Sequence, residues 1–221
     1  MRRLVLAITG ASGAIYGVRL LQILRELGGI ETHLVVSRAA FLTLAAECDM
    51  GAGDVAKLAH RVHAANNPGA PISSGSFRSE GMIVAPCSVR AASAIASGIT
   101  DDLIARAADV MLKERRRLLV AIRETPLHAG HLETLTRLAR LGAIIFPPVP
   151  AFYHRPQTLA EMVDQSCMRM LDQFGIESDA APRWGEDGGV PAIGERSAAA
   201  GCADPKVQGG QQTCGSERNH E

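Results

Sequence analysis

Short apolar runs alternate along this chain with longer stretches whose apolar residues recur every three or four positions. The first run, Leu4-Val5-Leu6-Ala7-Ile8, ends in the small-residue turn Thr9-Gly10-Ala11-Ser12-Gly13-Ala14, and Ile15 to Leu27 then predicts a helix. Glu31 to Ser37 predicts a second strand, and Arg38 to Glu47 a helix with Phe41, Leu42, Leu44 and Ala45 on one side. Gly51 to Pro71 reads as a surface excursion marked by Asn66, Asn67, Pro68 and Gly69, with a short helix expected from Asp54 to His63. Ser73 to Phe77 predicts a loop or a helix N-terminus. Met82 to Ala85 is the third expected strand, broken by Pro86-Cys87-Ser88, and a helix is expected from Arg90 through Ser97. Thr100-Asp101 is the expected cap of another helix, running to Lys113. Leu118 to Ile122 predicts the fourth strand, and His128 to Leu141 a helix with Leu132, Leu135, Leu138 and Leu141 in register. After Gly142, Ala143 to Phe146 predicts a fifth strand, and Thr158 to Phe174 the last helix.

This alternation predicts an α/β fold, a parallel sheet with helices on both faces in a single domain. From Gly185 the apolar periodicity stops, so the expected domain is 1–187, followed by a flexible C-terminal tail, 188–221.

In a parallel sheet the carboxyl ends of the strands share one edge, where ligands bind. That edge collects Gly10, Ala11, Ser12, Ser37, Ser88, Val89, Arg90, Arg123 and Glu124. The opening turn offers free N–H groups and a positive helix end, which suit phosphate or another anion. It matches neither G-x-G-x-x-G nor a P-loop, and a tight turn that binds nothing is the competing reading. The serines also read as helix caps, Arg123-Glu124 as a surface pair, and Glu124 as a proton carrier if it faces a ligand.

Composition narrows the class. Lys plus Arg equals Asp plus Glu at 23 each, so charge gives no reason to expect nucleic acid or an acidic membrane. The five cysteines, Cys48, Cys87, Cys167, Cys202 and Cys214, are widely spaced without a C-x-x-C pair, which indicates neither a disulfide framework nor a zinc site. His128 and His131 have a spacing compatible with a metal, but no third ligand accompanies them, and no metal is expected. With no signal-peptide layout and no apolar stretch of membrane-spanning length, a cytoplasmic protein is expected.

Several segments together resemble the flavin prenyltransferases of the UbiX/Pad1 type, associated with aromatic-acid decarboxylases. They are Gly10-Ala11-Ser12-Gly13-Ala14, Ser74-Gly75-Ser76-Phe77, Ala85-Pro86-Cys87-Ser88, Ala107-Ala108-Asp109-Val110, Lys113-Glu114, Arg123-Glu124-Thr125-Pro126-Leu127, His131-Leu132-Glu133 and Pro150-Ala151-Phe152-Tyr153-His154. The resemblance spans residues 2 to 187 and implies a flavodoxin-like or Rossmann-like fold. It also implies transfer of a dimethylallyl group from dimethylallyl phosphate to N5 and C6 of reduced FMN. The product, prenylated FMN, would serve a UbiD-type decarboxylase. A homododecamer with sites between subunits, and no metal, is further implied.

Residue by residue, the resemblance assigns Gly10, Ala11, Ser12, Ser37, Ser88, Val89, Arg90, Ala91 and Arg123 to FMN. It assigns Lys113, Glu124, Tyr153 and Arg169 to the prenyl phosphate, with Glu124, Lys113 and Glu47 as the catalytic set. One departure stands out: the family's Ser-Met-Lys-Thr is here Ser88-Val89-Arg90-Ala91, which keeps a charge in Arg90 and loses a hydroxyl at Ala91. Two other readings are a non-catalytic flavin-binding subunit of a decarboxylase complex, and a phosphopantothenoylcysteine decarboxylase type. The catalytic histidine and substrate-clamp motifs of the latter are not found.

Overall fold

In the computed structural model, which describes residues 1–185, six strands form one sheet in the order β3-β2-β1-β4-β5-β6, every pairing parallel. The strands are β1 (Arg2–Ile8), β2 (Ile30–Val36), β3 (Arg61–Ala64), β4 (Gly81–Cys87), β5 (Arg117–Ile122) and β6 (Ile144–Ile145). The helices are α1 (Ala14–Leu27), α2 (Arg38–Cys48), α3 (Ala52–Ala56), α4 (Val89–Ser97), α5 (Leu103–Lys113), α6 (Ala129–Arg140) and α7 (Leu159–Asp172), with a 3-10 turn at Pro71–Ser73. The expected tail, 188–221, lies outside the described residues.

The apolar runs of β1, β2, β4 and β5 are nearly continuous because both faces of each strand are covered. Alternate residues of β1 sort onto two cores. Leu4, Leu6 and Ile8 pack with Val18 and Leu21 of α1 and Met170 and Leu171 of α7, while Val5 and Ala7 pack with Ile95 of α4 and Val110 of α5. Helices therefore cover both faces, as the alternation predicts.

Three local expectations are corrected. The expected helix from Asp54 to His63 is cut short: α3 ends at Ala56, and Arg61–Ala64 becomes the edge strand β3. This strand has no apolar stripe, and Val62 is exposed; the ladder to β2 and side-chain contacts from β2 hold it. The cap of α5 is Asp102, whose carboxylate accepts from the Ala105 N–H at 2.8 Å, rather than Thr100-Asp101. Pro86 does not end β4. The strand continues to Cys87 through a cis Ala85–Pro86 bond, with a register shift against β5 that absorbs the missing N–H.

The contact that fastens β3 carries a pH dependence. His33 Nδ1 lies 2.9 Å from His63 Nε2, with the rings stacked and His33 almost fully buried. Such a pair shares one proton and is disrupted when both rings are charged. Burial holds both imidazoles below their ordinary range. For His33 the neighbouring His63, Arg3 and Arg61 push the same way and Glu31 opposes them; for His63, Arg61 adds to burial. The folded state thus prefers neutral rings, whereas the unfolded chain binds protons from about pH 6.5 downward. Their contribution to stability is complete above that pH and is lost as pH falls toward the lower folded values. Urea unfolding between about pH 7 and pH 5.5 should show a falling midpoint, and His63→Phe should flatten that slope.

Candidate active site

A cleft of about 670 Å³ opens beyond the carboxyl ends of β1, β2 and β4, where the strand order reverses around β1. Gly10, Ser37, Ala39, Ser88, Arg90 and Ala91 are among its lining residues. Its size falls within the usual range for small-molecule pockets, and its small side chains leave room for a flat ring system. At Gly10 an added Cβ would come within 2.4 Å of the Ala39 Cβ, so a side chain there would collide with the cleft wall.

Two helices begin at this cleft, and each cap is a serine. Ser37 accepts from the Ala40 N–H at 3.2 Å, and Ser88 from the Ala91 N–H at 3.3 Å. A hydroxyl that accepts in a cap still has a proton to donate, so capping and ligand contact are compatible here. Thr9, absent from the sequence-derived set, ties the floor together. Its buried hydroxyl donates to the Pro86 carbonyl and accepts from the Ser88 N–H, both at 2.8 Å. The signal for it is slight: a polar residue closing an otherwise apolar strand.

The opening turn is not free for an external anion at its helix end. Gly13 takes a left-handed conformation, φ 95°, and the N–H groups of Gly13 and Ala14 donate to one Glu47 oxygen at 2.8 and 3.0 Å. A carboxylate from the last turn of α2 thus occupies the positive end of α1, which corrects the reading of this turn as a vacant anion site. Partial desolvation works against the charged form of Glu47. It is outweighed by the Ser12 hydroxyl, the two N–H groups and the Arg123 charge, and Glu47 is held below the usual carboxylate range. Arg123 follows β5, with its N–H donating to the Cys87 carbonyl at 3.1 Å, so its charge reaches the same corner.

The remaining assigned residues divide clearly. Val89 turns its side chain away from the cleft, into the packing with Ile122, Leu135 and His131, so any contact it makes with a ligand is through backbone. Arg90 lies on the rim, paired with Asp101 at 3.3 Å and Asp102 at 3.5 Å. Glu124 stands exposed at the carboxyl edge, with a carboxylate oxygen accepting from the Thr125 N–H at 3.0 Å. Lys113 closes α5, the helix that returns the chain to the start of β5; it therefore sits at the amino edge, opposite the cleft, paired with Glu114. Tyr153 accepts from Gln165 Nε2 at 3.2 Å, and Arg169 on α7 pairs with Asp172 at 3.4 Å. Among the described residues, no hydrogen bond or ion pair joins Lys113, Glu124, Tyr153 and Arg169.

Burial in the core pushes the Cys87 thiol up to about 12, so this cysteine stays protonated and inert. His128 and His131 have ring centroids 3.6 Å apart with the rings tilted by 30°, and among the described residues no group of three or more His, Cys, Asp or Glu is placed to hold a metal. No helix among them is long and apolar enough to cross a membrane.

Fold and cleft define a protein of the doubly wound α/β class with a ligand cleft at its switch point, and the Flavoprotein family model, which matches residues 1–169, makes it a flavoprotein. The flavin prenyltransferase UbiX of Escherichia coli K12 is 54% identical over 186 residues, 83% of this chain and 98% of the relative. The crystal structure of AnUbiX (PadA1) in complex with FMN and dimethylallyl pyrophosphate superposes with a TM-score of 0.81 at 51% identity, covering 83% of this chain and 97% of that one. The dodecameric FMN-dependent UbiX-like decarboxylase of Escherichia coli O157:H7 gives a TM-score of 0.81 at 48% identity, over 82% of this chain and 98% of that one. The chain belongs to the UbiX/Pad1-type flavin prenyltransferase family.

Proposed function

We propose that this protein transfers a dimethylallyl group from dimethylallyl phosphate to N5 and C6 of reduced FMN, producing prenylated FMN for a UbiD-type decarboxylase in the cytoplasm. The observation that carries this reading is the small-residue cleft at the sheet's switch point, with two helix N-termini, a serine cap on each and Arg123 beside it. Gly10, Ala11, Ser12, Ser37, Ser88, Arg90, Ala91 and Arg123 hold FMN there, and Val89 contributes backbone. When bound, the reduced flavin supplies the electron-rich N5 and C6 positions that accept the prenyl carbons.

The protein's part is electrostatic. As the allylic C–O bond breaks, negative charge grows on the departing phosphate, which Lys113 and Arg169 offset while Tyr153 donates a hydrogen bond. Glu124 would give a proton to the departing phosphate and regain the one that N5 loses as its bond to the prenyl carbon forms. On ring closure it would carry the C6 proton to the adjoining alkene carbon of the prenyl group, so both released protons have an acceptor. Glu47 holds the Ser12–Ala14 backbone in place through the hydrogen bonds it accepts. A site closed to water protects the allylic carbon from hydrolysis.

Lys113 sits at the sheet edge opposite the cleft. Its role therefore requires a second copy of the chain, and we read the functional form as a homododecamer with sites between subunits. Incubation without oxygen with reduced FMN and dimethylallyl phosphate should yield a flavin that activates a separately purified, cofactor-free UbiD-type decarboxylase. Mixing Lys113→Ala subunits with Glu124→Ala subunits should restore part of the activity that each lacks alone. FMN binding with no activation of the decarboxylase would instead favour a non-catalytic flavin-binding subunit.

A further inference from the structure

Tyr153 is held by more than its own backbone. Its ring meets Trp184 edge-on at 5.1 Å and His154 at 5.5 Å, and its hydroxyl oxygen accepts from Gln165 Nε2 at 3.2 Å. Gln165 lies on α7 and is 5% exposed, while Tyr153 is 38% exposed. A buried amide thus reaches outward to a hydroxyl at the surface of the chain.

The direction of that hydrogen bond has a chemical consequence. The amide N–H can only donate, so the tyrosine oxygen accepts from Gln165 and its own proton points elsewhere. The bond also fixes the oxygen's position, and the two edge-on aromatic contacts fix the ring plane. We propose that Gln165 is a positioning residue that aims the Tyr153 hydroxyl proton at the phosphate of the prenyl donor. The inference rests on the prenyl-transfer reading above and adds to it a residue that touches neither substrate. Pre-orienting a donor spares the ordering cost that a freely rotating hydroxyl incurs on binding phosphate.

Three variants separate this role from simple packing. Gln165→Leu keeps the bulk and removes the amide; KM for dimethylallyl phosphate should rise about three- to tenfold, the worth of one hydrogen bond, with KM for reduced FMN unchanged. Gln165→Glu reverses the bond, because an ionised carboxylate accepts the hydrogen bond that the tyrosine hydroxyl donates, so it should bind the prenyl phosphate more weakly than Gln165→Leu. Gln165→His retains a ring N–H donor and should recover part of the loss. In a Tyr153→Phe background, Gln165→Leu should have no further effect.

Equal effects of Gln165→Leu with and without the Tyr153 hydroxyl, or equal rises in KM for both substrates, would overturn the proposal. Affinity for inorganic phosphate in the presence of FMN provides a readout independent of turnover, and it should weaken in Gln165→Leu. If wild-type protein makes no prenylated flavin, the prenyl-transfer reading fails, while the phosphate affinities still decide the role of Gln165. If Tyr153→Phe is impaired but Gln165→Leu matches wild type in both assays, only the positioning role fails.

Discussion

Glu124→Ala should slow prenyl transfer by about two to four orders of magnitude, the usual worth of a positioned general acid–base group, while FMN affinity stays within a few-fold of wild type. The residue follows Arg123 at the carboxyl edge of β5, exposed, with no ion pair among the described residues. Removing its side chain leaves no buried partner unsatisfied: the Thr125 N–H that it accepts from is at the surface. Stability should therefore be nearly unchanged, and lost turnover reports chemistry rather than misfolding. Glu124→Gln should fall almost as far, because an amide keeps the shape but cannot carry the proton. Single-turnover formation of product, FMN titration and thermal unfolding of the same preparations make the comparison. Activity within a few-fold of wild type in both variants would remove Glu124 from the mechanism.

Gly17→Ala should produce the largest loss of stability for the smallest chemical change. Alanine is normally favoured over glycine in a helix by about 1 kcal/mol, so local propensity alone predicts stabilisation. At Gly17, however, the added Cβ would lie 2.6 Å from both the Ala85 carbonyl oxygen and Ile8 Cγ1, and 2.8 Å from Ile8 Cδ1. Those atoms belong to β1 and β4, on the floor beneath the cleft, so α1 must move off the sheet. Overpacking of this kind costs about 1–3 kcal/mol, and more where backbone is the obstacle. Flavin affinity should fall with stability, since the displaced strand ends carry Thr9 and Ser88. Gly53→Ala is the control: it also lies in a helix, α3, and a Cβ there meets nothing within 4 Å. Urea unfolding should show a clear drop for the first and no loss for the second.

Much of the architecture was legible because buried parallel strands leave continuous apolar runs and helices leave a three-to-four periodicity. Strand β3 was not, since its four residues carry no such pattern and depend on β2 and the His33–His63 contact. Residues at the carboxyl ends of β1, β2 and β4 could be grouped from topology alone, and the structure places Gly10, Ser37, Ser88, Arg90 and Ala91 on one cleft. Glu47 was a different case. Resemblance put it near the flavin, but its hold on the Gly13 and Ala14 N–H groups joins two segments more than thirty residues apart. No local pattern encodes that pairing. The position of Lys113 at the opposite sheet edge follows from the direction of α5, and the role proposed for it needs a second copy of the chain.

The central claim is that one site, built on the cleft of one chain and completed by another, prenylates reduced FMN. Its most direct test is the mass and absorption spectrum of the flavin extracted after incubation of purified protein with reduced FMN and dimethylallyl phosphate without oxygen. The expected result is a flavin modified at N5 and C6 and heavier by C5H8, formed about two to four orders of magnitude more slowly when Glu124 is replaced. Recovery of unmodified FMN alone, from protein that binds it fully, would contradict the claim.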